Sequence, residues 1–97
     1  MFEVGFTPEA ADDLRSYRKR DQQRIVAAVR GCLESQPTQP TRNCKRLRPN
    51  QLAEWELRVG EFRVFYGVDA ESSAVKIVAI GRKRGNTLII RGEEYKL

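Results

Sequence analysis

Guanidinium and ammonium groups are the most numerous side chains with chemical potential in this sequence. Lysine and arginine total 18 against 13 acids, and histidine is absent. That absence excludes Ser-His-Asp triads, Cys-His pairs and histidine-based nucleases, leaving arginine, lysine, tyrosine, glutamate and aspartate for any reaction. The cations are grouped. Arg42, Lys45, Arg46 and Arg48 fall within seven residues without an acid. Arg58 and Arg63 stand on either side of a short turn signal, and Arg82, Lys83 and Arg84 run together between Gly81 and Gly85. Such groups hold a chain of phosphates and can stabilise charge that builds on one of them. The plainer reading is a solvated basic loop, and two arginines relieved by Glu56 and Glu61. The residues alone leave both open.

These groups are positioned by Glu54 to Lys83. Trp55, Leu57 and Val59 alternate with Glu54, Glu56 and Arg58, and Phe62, Val64, Tyr66 and Val68 alternate with Glu61, Arg63, Phe65 and Gly67. Period-two alternation of aromatic and β-branched residues predicts half-buried antiparallel strands. Gly60-Glu61 is a Gly-X pair of the type II′ hairpin kind. With it as the turn, Val59 faces Phe62, Leu57 faces Val64, Trp55 faces Tyr66, and Arg58 directly opposes Arg63 on the other side. Opposed like charges cost roughly 0.2–1 kcal/mol. An anion would offset that cost. Phe65 shares the Arg63 face and is a candidate for stacking on a base.

Val75 to Ile80 is nearly continuous in apolar residues, which suits a central strand, and leads into the Gly81–Asn86 basic segment. Phe2, Val4 and Phe6 predict a first strand. Thr7 and Pro8 suit the cap and first position of a helix running to about Arg18. Asp21 suits the cap of a second helix, with a buried stripe of Ile25, Val26, Val29, Cys32 and Leu33 that fades before Pro37. Gln36 to Ala53 reads as a long loop pinned by Leu47, and Leu88-Ile89-Ile90 as a short edge strand before an Arg91-Gly92 turn. The expected fold is α+β: an N-terminal strand, an antiparallel two-helix hairpin packed on a small antiparallel sheet, and a closing three-strand meander, in one domain spanning residues 1–97.

A net charge of +5 and a pI near 9.6 favour a polyanionic partner, nucleic acid first. No apolar run approaches the ~18 residues of a membrane span, and no signal-peptide pattern is present, so cytoplasmic residence is the expectation. Cys32 and Cys44 lack metal-site spacing, so no metal or cofactor is expected. Both read as free thiols, with Cys32 buried on its helix.

The segment Leu47-Arg48-Pro49, followed by Trp55-Glu56-Leu57-Arg58-Val59-Gly60-Glu61-Phe62-Arg63-Val64-Phe65-Tyr66 and later by Ile80-Gly81-Arg82-Lys83, resembles the RelE/ParE superfamily of bacterial type II toxin–antitoxin toxins, and RelE more than ParE. The resemblance implies a toxin neutralised by a cognate antitoxin. On the RelE side it implies a ribosome-dependent endoribonuclease that cleaves mRNA in the A site, by attack of a ribose 2′-hydroxyl on the adjacent phosphate. On the ParE side it implies a DNA gyrase inhibitor without chemistry, and a silent RNA-binding relative is a third alternative. Carried over by position, Arg63, Arg58 and Lys83 are the catalytic cations. Arg82 and Arg84 are their neighbours. On the functional reading of the basic loop, and not by positional match, Arg42, Lys45, Arg46 and Arg48 would contact RNA. Two departures stand out. Glu56 occupies a cation position of RelE, and the C-terminal tyrosine position falls near Ile89, the nearest late tyrosine being Tyr95. Proton transfer then rests with Tyr95 folded back, with Glu56 or with Lys83, or the activity is altered.

Overall fold

A computed structural model describes residues 1–96. The chain runs β1 (Glu3–Phe6), α1 (Pro8–Arg15), α2 (Lys19–Leu33), β2 (Cys44–Arg46), β3 (Trp55–Val59), β4 (Phe62–Asp69), β5 (Ala74–Arg84), β6 (Thr87–Ile90) and β7 (Glu93–Tyr95). The α+β architecture expected from the sequence is present, with two helices on one face of a sheet ordered β2-β3-β4-β5-β6-β7. The predicted meander is β3-β4-β5, and it continues through two further hairpins. Only β1 departs from antiparallel pairing, lying parallel to β5 with Phe6 beside Ile77.

The β3–β4 register is the one derived from alternation, from Trp55 opposite Tyr66 to Val59 opposite Phe62. Gly60 takes φ +60° while Glu61 keeps negative φ, as a type II′ turn requires. Trp55, Leu57, Val59, Phe62, Val64 and Tyr66 thereby face the helices, where Ala10, Ile25, Val29 and Leu33 complete the main core. Tyr17 meets the Phe62 ring edge-on at 4.8 Å between centroids. Full burial of each such side chain contributes about 1.5–3 kcal/mol.

Helix boundaries differ modestly from expectation. Thr7 caps α1, its hydroxyl accepting from the Ala10 amide. The helix stops at Arg15 rather than Arg18, because the Ser16 hydroxyl donates to the Asp13 carbonyl and closes the last turn. α2 begins at Lys19, with Asp21 in its first turn instead of at the cap. A negative charge still suits that place.

Three expectations are corrected. The long loop contains a strand, β2, which pairs with β3 and puts Cys44 opposite Leu57. Cys32, expected to be buried on its helix, is exposed, and Cys44 is buried. β2 lies under the helical layer, and the Cys44 sulfur sits 2.7 Å from the Tyr66 hydroxyl, which donates to the Pro37 carbonyl at 2.7 Å. Burial pushes the pKa of both groups up; their mutual hydrogen bond lowers that of Cys44 by less than burial raises it, and raises that of Tyr66 further. Lastly, the face of the sheet away from the helices is not an open surface. Phe65, Ala79, Leu88 and Ile90 form a second core there, covered by Leu47, Leu52, Ala53 and Tyr95. The covering loop is tied by Asn50, whose amide nitrogen donates to the Arg48 and Ala53 carbonyls and whose oxygen accepts from the Leu52 and Ala53 amides.

Candidate functional site

Beside the second core lies a polar cleft of about 590 Å³. β2 and the loop after it supply Lys45, Arg46 and Arg48; β3 supplies Glu56; the β5–β6 hairpin supplies Lys83 and Asn86; β7 and the residue after it supply Tyr95 and Lys96. Five cations and one carboxylate thus share a single depression with a phenol. The β2–β3 register sets Lys45 beside Glu56, and the β5–β6 and β6–β7 registers align Lys83, Leu88 and Tyr95 in one row across three strands. Tyr95 reaches the cleft because the chain turns at Arg91-Gly92 and returns as β7. Asn86 and Lys96 carried no sequence signal of their own.

Arg58 and Arg63 oppose each other on this same face. They are not equivalent. Arg58 is exposed, whereas Arg63 is only 8% exposed. The Arg63 Nη1 donates to the Gly60 carbonyl at 2.8 Å and to the Phe62 carbonyl at 2.9 Å, and Nε lies 3.7 Å from Glu56 Oε1. Burial pulls its basicity down; Glu56 opposes this and Arg58 adds to it. Glu56 therefore links the two parts of the site, lining the cleft with its carboxylate beside the Arg63 guanidinium. Arg58 and Arg63 themselves do not line the cleft; an anion entering it first meets the exposed Lys45, Arg46, Arg48, Lys83 and Lys96.

Several predicted residues stand elsewhere. Alternation along β5 sends Lys83 into the cleft and Arg82 to the opposite, helix-bearing face. There Arg82 lies 5.5 Å from the centre of the Phe62 ring and pairs with Glu61. Arg84 follows Arg82, beside Tyr17 and Arg91. Arg42 is exposed and outside the cleft, and Arg46 also engages Glu54 and the Trp55 ring. Phe65, expected to stack on a base, has no exposed surface, because the loop holding Leu47 and Leu52 closes over it. Among the described residues, no group of three or more His, Cys, Asp or Glu side chains is placed to hold a metal ion. No helix among them is long and apolar enough to cross a membrane.

The family model described as ParE toxin of type II toxin-antitoxin system, parDE, matches residues 4–87. The chain belongs to the ParE toxin family. No curated protein sequence matches it. Among solved structures, this ParE-family chain is similar to one from the RelBE2 toxin–antitoxin complex of Mycobacterium tuberculosis, with a TM-score of 0.67 and 27% identity over 84% of this chain and 98% of that one. It shares its fold with a chain of the archaeal RelE–RelB complex of Pyrococcus horikoshii, at TM-score 0.68 and 23% identity over 87% and 96% of the two chains. The same holds for a chain of the intact Escherichia coli RelBE complex, at TM-score 0.59 and 18% identity over 87% and 99%. The RelE/ParE resemblance read from the β3–β4 segment is thus shown. The family model carries the ParE name and these structures the RelE name, so the chain is a type II toxin of RelBE-like fold.

Proposed function

We propose that this ParE-family toxin is a ribosome-dependent endoribonuclease that cleaves mRNA in the A site. The observation supporting this most is the content of the cleft, where cations, one carboxylate and one phenol converge. In the reaction so envisaged, Glu56 takes the proton of a ribose 2′-hydroxyl and that oxygen forms a bond to the adjacent phosphorus. The bond from phosphorus to the 5′-oxygen breaks, and Tyr95 or Lys83 gives the leaving oxygen its proton. The products are a cyclic phosphate and a 5′-hydroxyl. Lys83 and Arg63, with Arg58 beside it, stabilise the added negative charge of the five-coordinate phosphorus. The ribosome supplies alignment. Lys45, Arg46 and Arg48 at the cleft, and Arg42, Arg82 and Arg84 beyond it, contact RNA backbone.

A cognate antitoxin is the expected protein partner, since the solved chains of like fold come from toxin–antitoxin complexes. Acidic segments would complement the +5 charge. The second reading, inhibition of DNA gyrase, is favoured by one observation, the ParE name of the matching family model. Inducing the chain in a bacterium with and without the neighbouring reading frame, while mapping mRNA ends and assaying gyrase, separates the two. New ends within codons at ribosomal A sites support the ribonuclease. Intact messages with blocked gyrase support the second reading.

A further inference from the structure

Asp13, on α1, is buried, with its side chain only 5% exposed. Its two oxygens serve different segments. Oδ2 accepts from the Ile80 amide at 3.0 Å, and Oδ1 accepts from Arg91 Nε at 2.9 Å. Arg91 Nη2 donates in turn to the Val78 carbonyl at 3.1 Å, and the Tyr17 hydroxyl donates to the Ile80 carbonyl at 3.2 Å. The location explains the pattern. Along this edge of β5, the register with β1 ends at Ile77 and that with β6 begins at Arg82. Side chains therefore satisfy the backbone groups that a neighbouring strand would otherwise meet.

Arg91 occupies an unusual place in the backbone. It has φ +53° and Gly92 has φ +78°, between Ile90 and Glu93, which pair. Two central residues of positive φ make a type I′ turn, a position suited to asparagine or glycine. An arginine there is strained, and strain of this kind persists where surrounding contacts over-determine it. Those contacts are Asp13 and Val78. The turn they fix joins β6 to β7. β7 pairs with β6 alone, and it carries Tyr95 into the cleft.

We infer that the Asp13–Arg91 pair is a latch that fixes the β6–β7 hairpin to the body and so positions the Tyr95 phenol in the cleft. Asp13 and Arg91 are positioning residues. The placement of Tyr95 follows from the geometry alone, while its consequence for RNA cleavage rests on the proposed ribonuclease function.

The test incorporates 3-fluorotyrosine into the full chain and reads fluorine NMR, with the Tyr95 signal assigned from Tyr95→Phe. Arg91→Asn keeps a residue suited to positive φ and removes the ion pair. The Tyr95 resonance should move to the solvent-exposed position while that of Tyr66, in the main core, stays. Arg91→Lys should return part of the shift. On programmed ribosomes, the single-turnover cleavage rate of Arg91→Asn should fall about tenfold or more with ribosome affinity unchanged. An unmoved Tyr95 resonance overturns the latch. If Arg91→Asn does not fold, Asp13→Asn, which keeps an acceptor for the Ile80 amide, is read the same way. A shifted Tyr95 in a protein that never cuts RNA upholds the latch and removes the ribonuclease reading.

Discussion

Gly81 is the point at which a single methyl group would press β6 away from β5. It lies on β5 opposite Arg63, on the face where Leu88 and Ile90 fold back over the sheet. A Cβ at this position would stand 2.7 Å from Ile90 Cγ1, 2.9 Å from the Ile89 carbonyl oxygen and 3.0 Å from Leu88 Cδ1. The side chains can rotate away, but the carbonyl belongs to the β6 backbone and moves only with the strand. Overpacking of this kind costs about 1–3 kcal/mol, and the backbone contact places Gly81→Ala at about 2 kcal/mol or above. In a domain of this size that lowers the melting temperature by roughly 8–16 °C. Gly5→Ala is the comparator, because nothing lies within 4 Å of a Cβ there, and its effect should stay within about 0.5 kcal/mol. Thermal and urea unfolding of both variants measure the difference. If the two melt together, β6 does not press on β5 as described, and the account of how Leu88 and Tyr95 are carried to the cleft fails.

Other outcomes follow from the same contacts. Tyr66→Phe removes the hydroxyl between Cys44 and the Pro37 carbonyl, and should cost about 1–2 kcal/mol in urea unfolding. The fold holds the Cys44 and Tyr66 protons more tightly than the unfolded chain, whose ordinary values are 9.0 and 10.0. Their contribution is therefore complete below the thiol value and is lost as pH rises. The melting temperature should be level near pH 7–8 and fall from about pH 9 upward, with a shallower fall in Tyr66→Phe. Arg63→Ala leaves Glu56 without its buried partner and should destabilise by about 3 kcal/mol, so its loss of toxicity mixes stability with chemistry. Lys83 is exposed, and Lys83→Ala should change stability by less than about 0.5 kcal/mol while abolishing growth arrest.

Much of the sheet was legible because its signals are local. Gly60-Glu61 sets the turn, and each residue of β3 and β4 then follows by alternation. The same alternation, carried past Ile80, would have sent Lys83 to one face and Arg82 and Arg84 to the other. Reading β5 as ending before the basic run hid that split. The second core was harder to see, since Phe65 on a polar-looking face is sealed by Leu47 and Leu52, and only the folded loop shows that they meet. β2 is three residues long and is recognisable only once β3 lies beside it. Asp13 and Arg91 lie 78 residues apart, and nothing local to either marks the pair. The return of Tyr95 was one of the alternatives open at the sequence level, and the Arg91-Gly92 turn brings it about.

The most direct measurement uses purified toxin, programmed ribosomes and end-labelled mRNA, with wild type and Lys83→Ala side by side. Wild type should cut within the A-site codon, leaving a cyclic phosphate and a 5′-hydroxyl, and Lys83→Ala should leave the message whole. A wild-type protein that leaves the message whole, or a Lys83→Ala protein that cuts as fast as wild type, would contradict a cleaving site built around this cleft.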